Sequence, residues 1–134
     1  MSMKGSKMYQ EQILDHYRNP RRYGDLAPLT FSHTGENTSC GDKLTFDVRL
    51  ADDDETIEEV SFRGDGCAIS LASASMLAEQ LPGMTLEDVR ELDRDDAIDT
   101  LGVDISPMRI DCAILAERVV QDGIDEHTRH GSTD

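Results

Sequence analysis

The residues of this chain that are best suited to chemistry are its three cysteines. Cys40 precedes Gly41 and Asp42, Cys67 follows a glycine-bracketed turn, and Cys112 begins an apolar stretch. Thiolates bind zinc and iron–sulfur clusters, and a carboxylate can complete a tetrahedral zinc site. Asp42 is the obvious fourth ligand, because Gly41 lets the chain bend so that both of its neighbours face one metal.

The spacing of these residues is a weak signal by itself. The sequence contains no Cys-x-x-Cys pair. Zinc ribbons, thioredoxin-like redox proteins and zinc deaminases are therefore disfavoured.

Cys67 is predicted to stand where a strand gives way to a helix. Strand-like alternation precedes it, and residues 68–81 are small or apolar and contain no proline or glycine. Gly64 and Gly66 permit positive φ and close backbone approach in the turn. A thiol at a helix N-terminus faces unpaired N–H groups and the positive end of the helix dipole, which favour the thiolate. A lone cysteine is more often structural, but two further cysteines change that balance.

Hydrophobic periodicity and turn residues predict the elements that position these groups. Helices are expected over residues 8–19, 68–81, 85–91, 94–101 and 107–121, and strands near 29–33 and over 43–50 and 56–63. Strands followed by helices indicate an α+β fold, a small antiparallel sheet with helices packed on one face. We expect residues 1–134 to form a single domain with flexible ends at 1–7 and 124–134.

The charge of the chain is strongly negative. It carries 28 acidic and 13 basic residues, for a formal net charge of −15. Such a surface argues against generic nucleic-acid binding. Many aspartates and few lysines also suggest a halophilic source, because molar salt screens self-repulsion, although an ordinary acidic protein is the alternative. Equal thermal stability in low and in molar potassium chloride would contradict the halophilic interpretation.

No segment of the sequence predicts export or membrane insertion. There is no apolar run near 18 residues, and the first ten residues lack the apolar core of a signal peptide. An odd number of cysteines does not suit a disulfide framework. We therefore expect a cytoplasmic protein without a membrane partner, whose reduced thiols serve metal or redox chemistry.

Basic residues concentrate near the N-terminus. Arg18, Arg21 and Arg22 follow Lys4 and Lys7 in an otherwise acidic chain. The sequence leaves two interpretations open, a solvated helix face and a docking surface for an acidic partner.

Five motifs, taken in order, resemble the IscU/SufU/NifU-N-terminal family of iron–sulfur cluster assembly proteins. They are Ile13–Arg21 (ILDHYRNPR), Cys40–Asp42 (CGD), Gly66–Ser70 (GCAIS), Ser73–Met76 (SASM) and Cys112–Ala116 (CAILA). The resemblance implies an α+β fold with a three-stranded antiparallel sheet. It also implies a role in cluster assembly, with a cysteine desulfurase of the SufS or IscS kind as sulfur donor and iron–sulfur proteins as downstream acceptors.

Carried over by motif, the resemblance implies that Cys40, Asp42, Cys67 and Cys112 bind zinc or a transient 2Fe-2S cluster. Cys40 is the expected sulfur acceptor if the protein is SufU-like, because a loop cysteine can swing out. Cys112 is the expected acceptor if it is IscU-like. The protein would then be a scaffold or sulfur carrier, and at most a zinc-dependent sulfurtransferase.

The subtype and two rival functions stay open at this point. The motifs around Cys67 favour SufU, but the insertion usual in SufU before the third cysteine is lacking. Asp111 stands where IscU proteins carry a histidine, and the IscU chaperone motif is also missing, so neither a histidine ligand nor a chaperone is carried over. A structural zinc-binding interaction module and a thiol redox sensor are the alternatives. Activation of a cysteine desulfurase would exclude both.

Overall fold

The fold is a three-stranded antiparallel sheet with helices packed against it. The computed structural model describes residues 11, 13–37, 41–93 and 110–131. The sheet has the order β1 (Phe31–Asn37), β2 (Asp42–Leu50) and β3 (Ile57–Asp65). The helices that follow are α1 (Ala68–Gln80), α2 (Leu86–Arg90) and α3 (Ile110–Gly131). Residues 13–18 form an N-terminal helical segment. The predicted α+β class and the antiparallel three-stranded sheet are confirmed.

The buried face of the sheet follows from the alternation in β2. Leu44, Phe46 and Val48 are at most 1% exposed and join one core with side chains of α1 and α3. Phe46 stacks on Phe62 of β3 with ring centroids 5.6 Å apart. Burying a large apolar side chain contributes about 1.5–3 kcal/mol, so these residues fix which face of the sheet meets the helices. None of the described helices is long and apolar enough to cross a membrane.

Helix α1 is buried along most of its length, which explains its small side chains. Ser70, Ala72, Ala74 and Ser75 are fully buried. Ser73 donates a hydrogen bond of 2.8 Å from its hydroxyl to the backbone carbonyl of Ala113 in α3. Alanine and serine let the two helices approach closely, and the hydroxyls find acceptors inside the interface.

Helix α3 extends further than the sequence predicts. The expected end near residue 121 is wrong, because the helix continues through Gly123 to Gly131. A Cβ at position 123 would lie 2.9 Å from the Cβ of His33, so glycine allows β1 to approach the helix. Ile124 is fully buried. Packing against the sheet therefore offsets the low helix propensity of glycine.

Other predicted boundaries shift by a few residues. The first strand runs over 31–37 instead of 29–33, and the third ends at residue 65. Helix α2 begins with a capping box in which Thr85 and Asp88 exchange side-chain to backbone hydrogen bonds of 3.1 Å. The helix predicted over 94–101 and the flexible start over 1–7 lie outside the described residues.

A crossing segment, residues 22–30, runs over the face of the sheet that the helices leave uncovered. It pairs with the edge of β3 through Gly24 N–H to Phe62 O at 2.9 Å. Near its end, Thr30 N–H donates to Val48 O at 2.7 Å. Between these points the buried carboxylate of Asp47 accepts a 3.2 Å hydrogen bond from the backbone N–H of Leu26. The crossing segment is thus fixed to β3 and β2 by backbone hydrogen bonds and by the Asp47 carboxylate.

Asp47 should make the stability of the fold sensitive to acid. Burial raises the pKa of this carboxyl, but hydrogen bonds from Ser32, Arg63 and the Leu26 amide outweigh burial, and the pKa lies below its ordinary value. A carboxyl with a lowered folded-state pKa stabilises the fold above its unfolded pKa of about 4, and this contribution is lost as the pH falls through the folded value.

We therefore expect Asp47→Asn to lower the free energy of unfolding by about 2 kcal/mol at pH 7, as for a hydrogen-bonded charged group. The difference from wild type should shrink below about pH 4. Urea denaturation between pH 7 and pH 3 measures it. Asp52→Asn, in the exposed hairpin turn, is the control, and a difference that stays constant with pH would contradict the assignment.

Candidate metal centre

Three of the four predicted ligands meet at one end of the sheet. Asp42 begins β2, Cys67 is the N-cap of α1, and Cys112 lies in the first turn of α3. One carboxylate oxygen of Asp42 and the two sulfurs all lie within 4.8 Å of one another. Cys40, the fourth predicted ligand, lies outside the described residues.

This arrangement fits a tetrahedral metal. Zinc bonds of about 2.3 Å to sulfur and 2.0 Å to oxygen place neighbouring ligand atoms about 3.5–3.8 Å apart. Since the ligand atoms lie within 4.8 Å of one another, each pair needs to approach by about 1.3 Å at most. Two thiolates and one carboxylate are also a donor set that zinc accepts.

The carboxylate of Asp42 caps the N-terminus of α1 from a different element. Asp42 is 1% exposed, and its Oδ1 accepts the backbone N–H of Cys67 at 2.9 Å. Its Oδ2 accepts the hydroxyl of Ser70 at 2.6 Å. Cys67 provides no side-chain cap of its own. A negative group is stabilised there by the unpaired amides and the helix dipole, so the fold holds Asp42 in place before any metal arrives.

Two glycines make room for this arrangement. Gly64 has a φ of +155°, and a Cβ there would collide with the backbone carbonyl of Lys43 on β2. A Cβ on Gly66 would lie 2.7 Å from Oδ1 of Asp42. The expected positive φ is confirmed at Gly64, and the expected close approach is confirmed at both glycines.

The two described sulfurs have different surroundings. Cys67 is partly exposed, whereas Cys112 is fully buried with the side-chain amide of Asn37 3.9 Å from its sulfur. Burial raises the pKa of the Cys67 thiol, but hydrogen bonds to its sulfur, first that of the Ser70 amide, bring the pKa below its ordinary value. Cys67 is thus disposed toward the thiolate, the form that binds metals and attacks sulfur.

Sequence reasoning missed the polar groups behind the ligands. The sequence does not predict a site role for Ser70 or for Asn37. Ser70 stands three residues after Cys67 on the same helical face, which is a usable signal in retrospect. Asn37 pairs with Asp42 across the β1–β2 ladder, a register that the sequence does not specify.

His16 packs against α1. Its Nδ1 lies 2.7 Å from the Ser75 hydroxyl and its Nε2 3.6 Å from a carboxylate oxygen of Glu79. Burial, and then the positive charge of Arg21, lower the pKa of this imidazole. Ser75 also accepts the backbone N–H of Arg21 at 2.9 Å, so its own proton is available to Nδ1 of a neutral ring.

Comparison with known proteins identifies the family. The profile of the NifU-like N terminal domain matches residues 8–133. The chain belongs to this family. This is the scaffold family of iron–sulfur cluster assembly. In this member, the side chains of Asp42, Cys67 and Cys112 are grouped at one site.

Relatives of this NifU-like domain fall on both sides of the SufU and IscU division. The zinc-dependent sulfurtransferase SufU of Bacillus subtilis is 32% identical over 87% of this chain and 89% of its own length. The cluster assembly scaffold protein IscU 1 of Archaeoglobus fulgidus is 30% identical over 91% and 78%. A crystal structure of a SUF-system scaffold protein from Fervidobacterium islandicum superposes with a TM-score of 0.70, at 29% identity over 90% of this chain and 99% of that one.

Proposed function

We propose that this NifU-like domain accepts persulfide sulfur from a cysteine desulfurase and binds zinc or a nascent 2Fe-2S cluster at Cys40, Asp42, Cys67 and Cys112. One observation carries the proposal: a carboxylate and two thiols within 4.8 Å of one another, in a member of a cluster assembly family. The relative described as a zinc-dependent sulfurtransferase supports the zinc and sulfur-transfer part. The relative described as a scaffold supports the cluster.

The sulfur step uses one thiolate of the domain. The thiolate attacks the outer sulfur of the desulfurase persulfide, a new sulfur–sulfur bond forms, and the bond within the persulfide breaks. The desulfurase cysteine leaves as a thiolate, so no external oxidant or reductant is needed. Cys112 is fully buried, which favours Cys40 as the first acceptor.

The remaining groups of the centre keep the thiols ready. The Cys67 thiol has a lowered pKa, and Asn37 directs its amide toward the Cys112 sulfur at 3.9 Å. Asp42 is held beside both sulfurs by two hydrogen bonds. Zinc, when bound, supplies the positive charge that keeps all thiols deprotonated and shields them from oxidation. The cluster is cargo, passed on to iron–sulfur acceptor proteins in the cytoplasm.

Anaerobic incubation of the protein with a cysteine desulfurase, cysteine and ferrous iron tests this function. We expect stimulated desulfurase turnover, an added sulfur in the intact mass, and the visible absorption of an iron–sulfur cluster. Zinc binding without any stimulation would indicate the structural interaction module. Thiol oxidation without sulfur transfer would indicate the redox sensor.

We infer that the docking surface lies on the N-terminal helical segment. Arg21 pairs with Asp15 at 2.6 Å, and Arg22 pairs with Glu59, so their charges are compensated within the chain. Within the part of the chain that the structure describes, Arg18 has no ion pair, and it lies beside the exposed side chains of Leu14 and Tyr17. This patch combines an exposed cation with apolar surface.

We therefore expect Arg18→Glu to slow association with the desulfurase several-fold at low salt and to change the dissociation rate little, since an exposed charge mainly steers encounter. Stopped-flow or surface-based kinetics measures both rates. Arg118→Glu, an equal charge change on the exposed side of α3, is the matched control. Equal slowing of association by both variants would mean that only the net charge of the protein matters. If Arg18→Glu does not slow association, Arg18 is a solvated residue outside the docking surface.

A further inference from the structure

A single buried hydroxyl contacts all three described residues of the candidate metal centre, two through their ligand groups and Cys112 through its backbone carbonyl. Ser70, in the first turn of α1, is fully buried. Its Oγ lies 2.6 Å from Oδ2 of Asp42, 3.3 Å from the carbonyl oxygen of Cys112 and 3.6 Å from the sulfur of Cys67. No other described hydroxyl has this set of contacts among the hydrogen bonds of the centre.

The distances decide where the one proton of this hydroxyl goes. A separation of 2.6 Å is typical of a charge-assisted bond from a hydroxyl to a carboxylate, which is about twice as strong as a neutral one. The contacts to Cys112 and Cys67 are longer and weaker. Ser70 therefore donates its one proton to Asp42.

This bond determines how freely the Asp42 carboxylate can turn. Its other oxygen accepts the Cys67 amide at 2.9 Å, so both oxygens are fixed on the N-terminus of α1. A Cβ on Gly66 would come 2.7 Å from the same Oδ1, so the backbone closes the third side. Without the Ser70 hydroxyl the carboxylate would keep one hydrogen bond and could rotate about its Cβ–Cγ bond.

We propose that Ser70 is a positioning residue that presents Asp42 to the metal. This inference rests on the proposed function, in which Asp42, Cys67 and Cys112 are ligands. Each carboxylate oxygen has two lone pairs, so Asp42 can bind a metal while Ser70 keeps its orientation. Groups that orient a ligand in this way typically change metal affinity 10- to 100-fold when removed.

Zinc affinity, measured by competition with a chromophoric chelator, tests the proposal. Ser70→Ala is expected to weaken zinc binding roughly 10- to 100-fold. Ser73→Ala is the matched control, because it removes a buried hydroxyl of the same helix that donates to a backbone carbonyl at 2.8 Å. Ser70→Thr keeps the hydroxyl and should retain most of the affinity. Equal affinities for Ser70→Ala and Ser73→Ala would overturn the proposal.

A double-mutant cycle separates positioning from a general structural role. If Ser70 acts through Asp42, Ser70→Ala should have no further effect on zinc affinity in an Asp42→Ala background. If the losses of zinc-binding free energy in the two single variants add up in the double variant, the proposal is overturned. This conclusion holds even if every variant melts at a lower temperature. Cobalt-substituted protein gives a second readout, in which the d–d bands of Ser70→Ala should shift toward those of Asp42→Ala.

The same measurements distinguish this inference from the function on which it rests. If wild-type protein binds no zinc, or if Asp42→Ala leaves the affinity unchanged, the proposed metal site itself fails. If Asp42→Ala weakens binding and Ser70→Ala does not, only the role of Ser70 fails.

Discussion

Replacing Cys67 by serine is expected to remove zinc from the purified protein, from about one per chain to well below half occupancy. A serine hydroxyl is a poor substitute for the thiolate, which is already favoured at this position because the pKa of Cys67 is lowered. Of the two described cysteines, Cys67 is the better one to replace. It is partly exposed, whereas Cys112 is fully buried and its replacement would also disturb packing. Metal analysis of protein purified without added zinc gives the stoichiometry.

The same variant should melt at a lower temperature. A ligand present at 100 times its dissociation constant stabilises the fold by about 2.7 kcal/mol, and losing that corresponds to about 10 °C for a chain of this size. Wild-type protein from which a chelator has removed the metal is the control. It should have the same melting temperature as Cys67→Ser, because neither protein holds metal. Full zinc occupancy in Cys67→Ser would remove Cys67 from the ligand set.

The sequence predicts the scaffold of this centre better than its inner contacts. Strict alternation in β2 and the run of small residues after Cys67 predict a strand and a helix, since each element buries one face or stripe. The turn between Gly64 and Gly66 is predictable because only glycine tolerates it. The likeness of five short motifs to one family predicts a ligand set, which spacing alone does not.

Contacts that depend on register and on side-chain orientation were not predictable. Asn37 reaches the Cys112 sulfur only because it pairs with Asp42 across the ladder. Ser70 acquires its role from a carboxylate that arrives from another element. The length of α3 also depends on tertiary packing, since Ile124 lies beyond a glycine that usually ends a helix.

Gly64→Ala is expected to be among the most destabilising small substitutions in this chain. Its φ of +155° is unfavourable for any residue with a Cβ, at a cost of about 1–3 kcal/mol. The new methyl would also collide with the carbonyl of Lys43, which is backbone in a paired strand and cannot move aside cheaply. Together these effects should lower the free energy of unfolding by about 3–5 kcal/mol.

Gly83→Ala separates strain from collision. Gly83 also has positive φ, +96°, but a Cβ there would meet no atom within 4 Å. It should therefore cost only the backbone strain of about 1–3 kcal/mol. Urea denaturation of the two metal-free variants measures the difference.

Gly64 leads directly into the turn before Cys67, and its carbonyl accepts a 3.2 Å hydrogen bond from the Tyr23 hydroxyl. The Gly64→Ala variant should therefore also release zinc faster. Equal destabilisation by Gly64→Ala and Gly83→Ala would contradict the predicted collision, because β2 and β3 would then move apart at Lys43 without cost. It would also mean that this turn does not hold Cys67 in position.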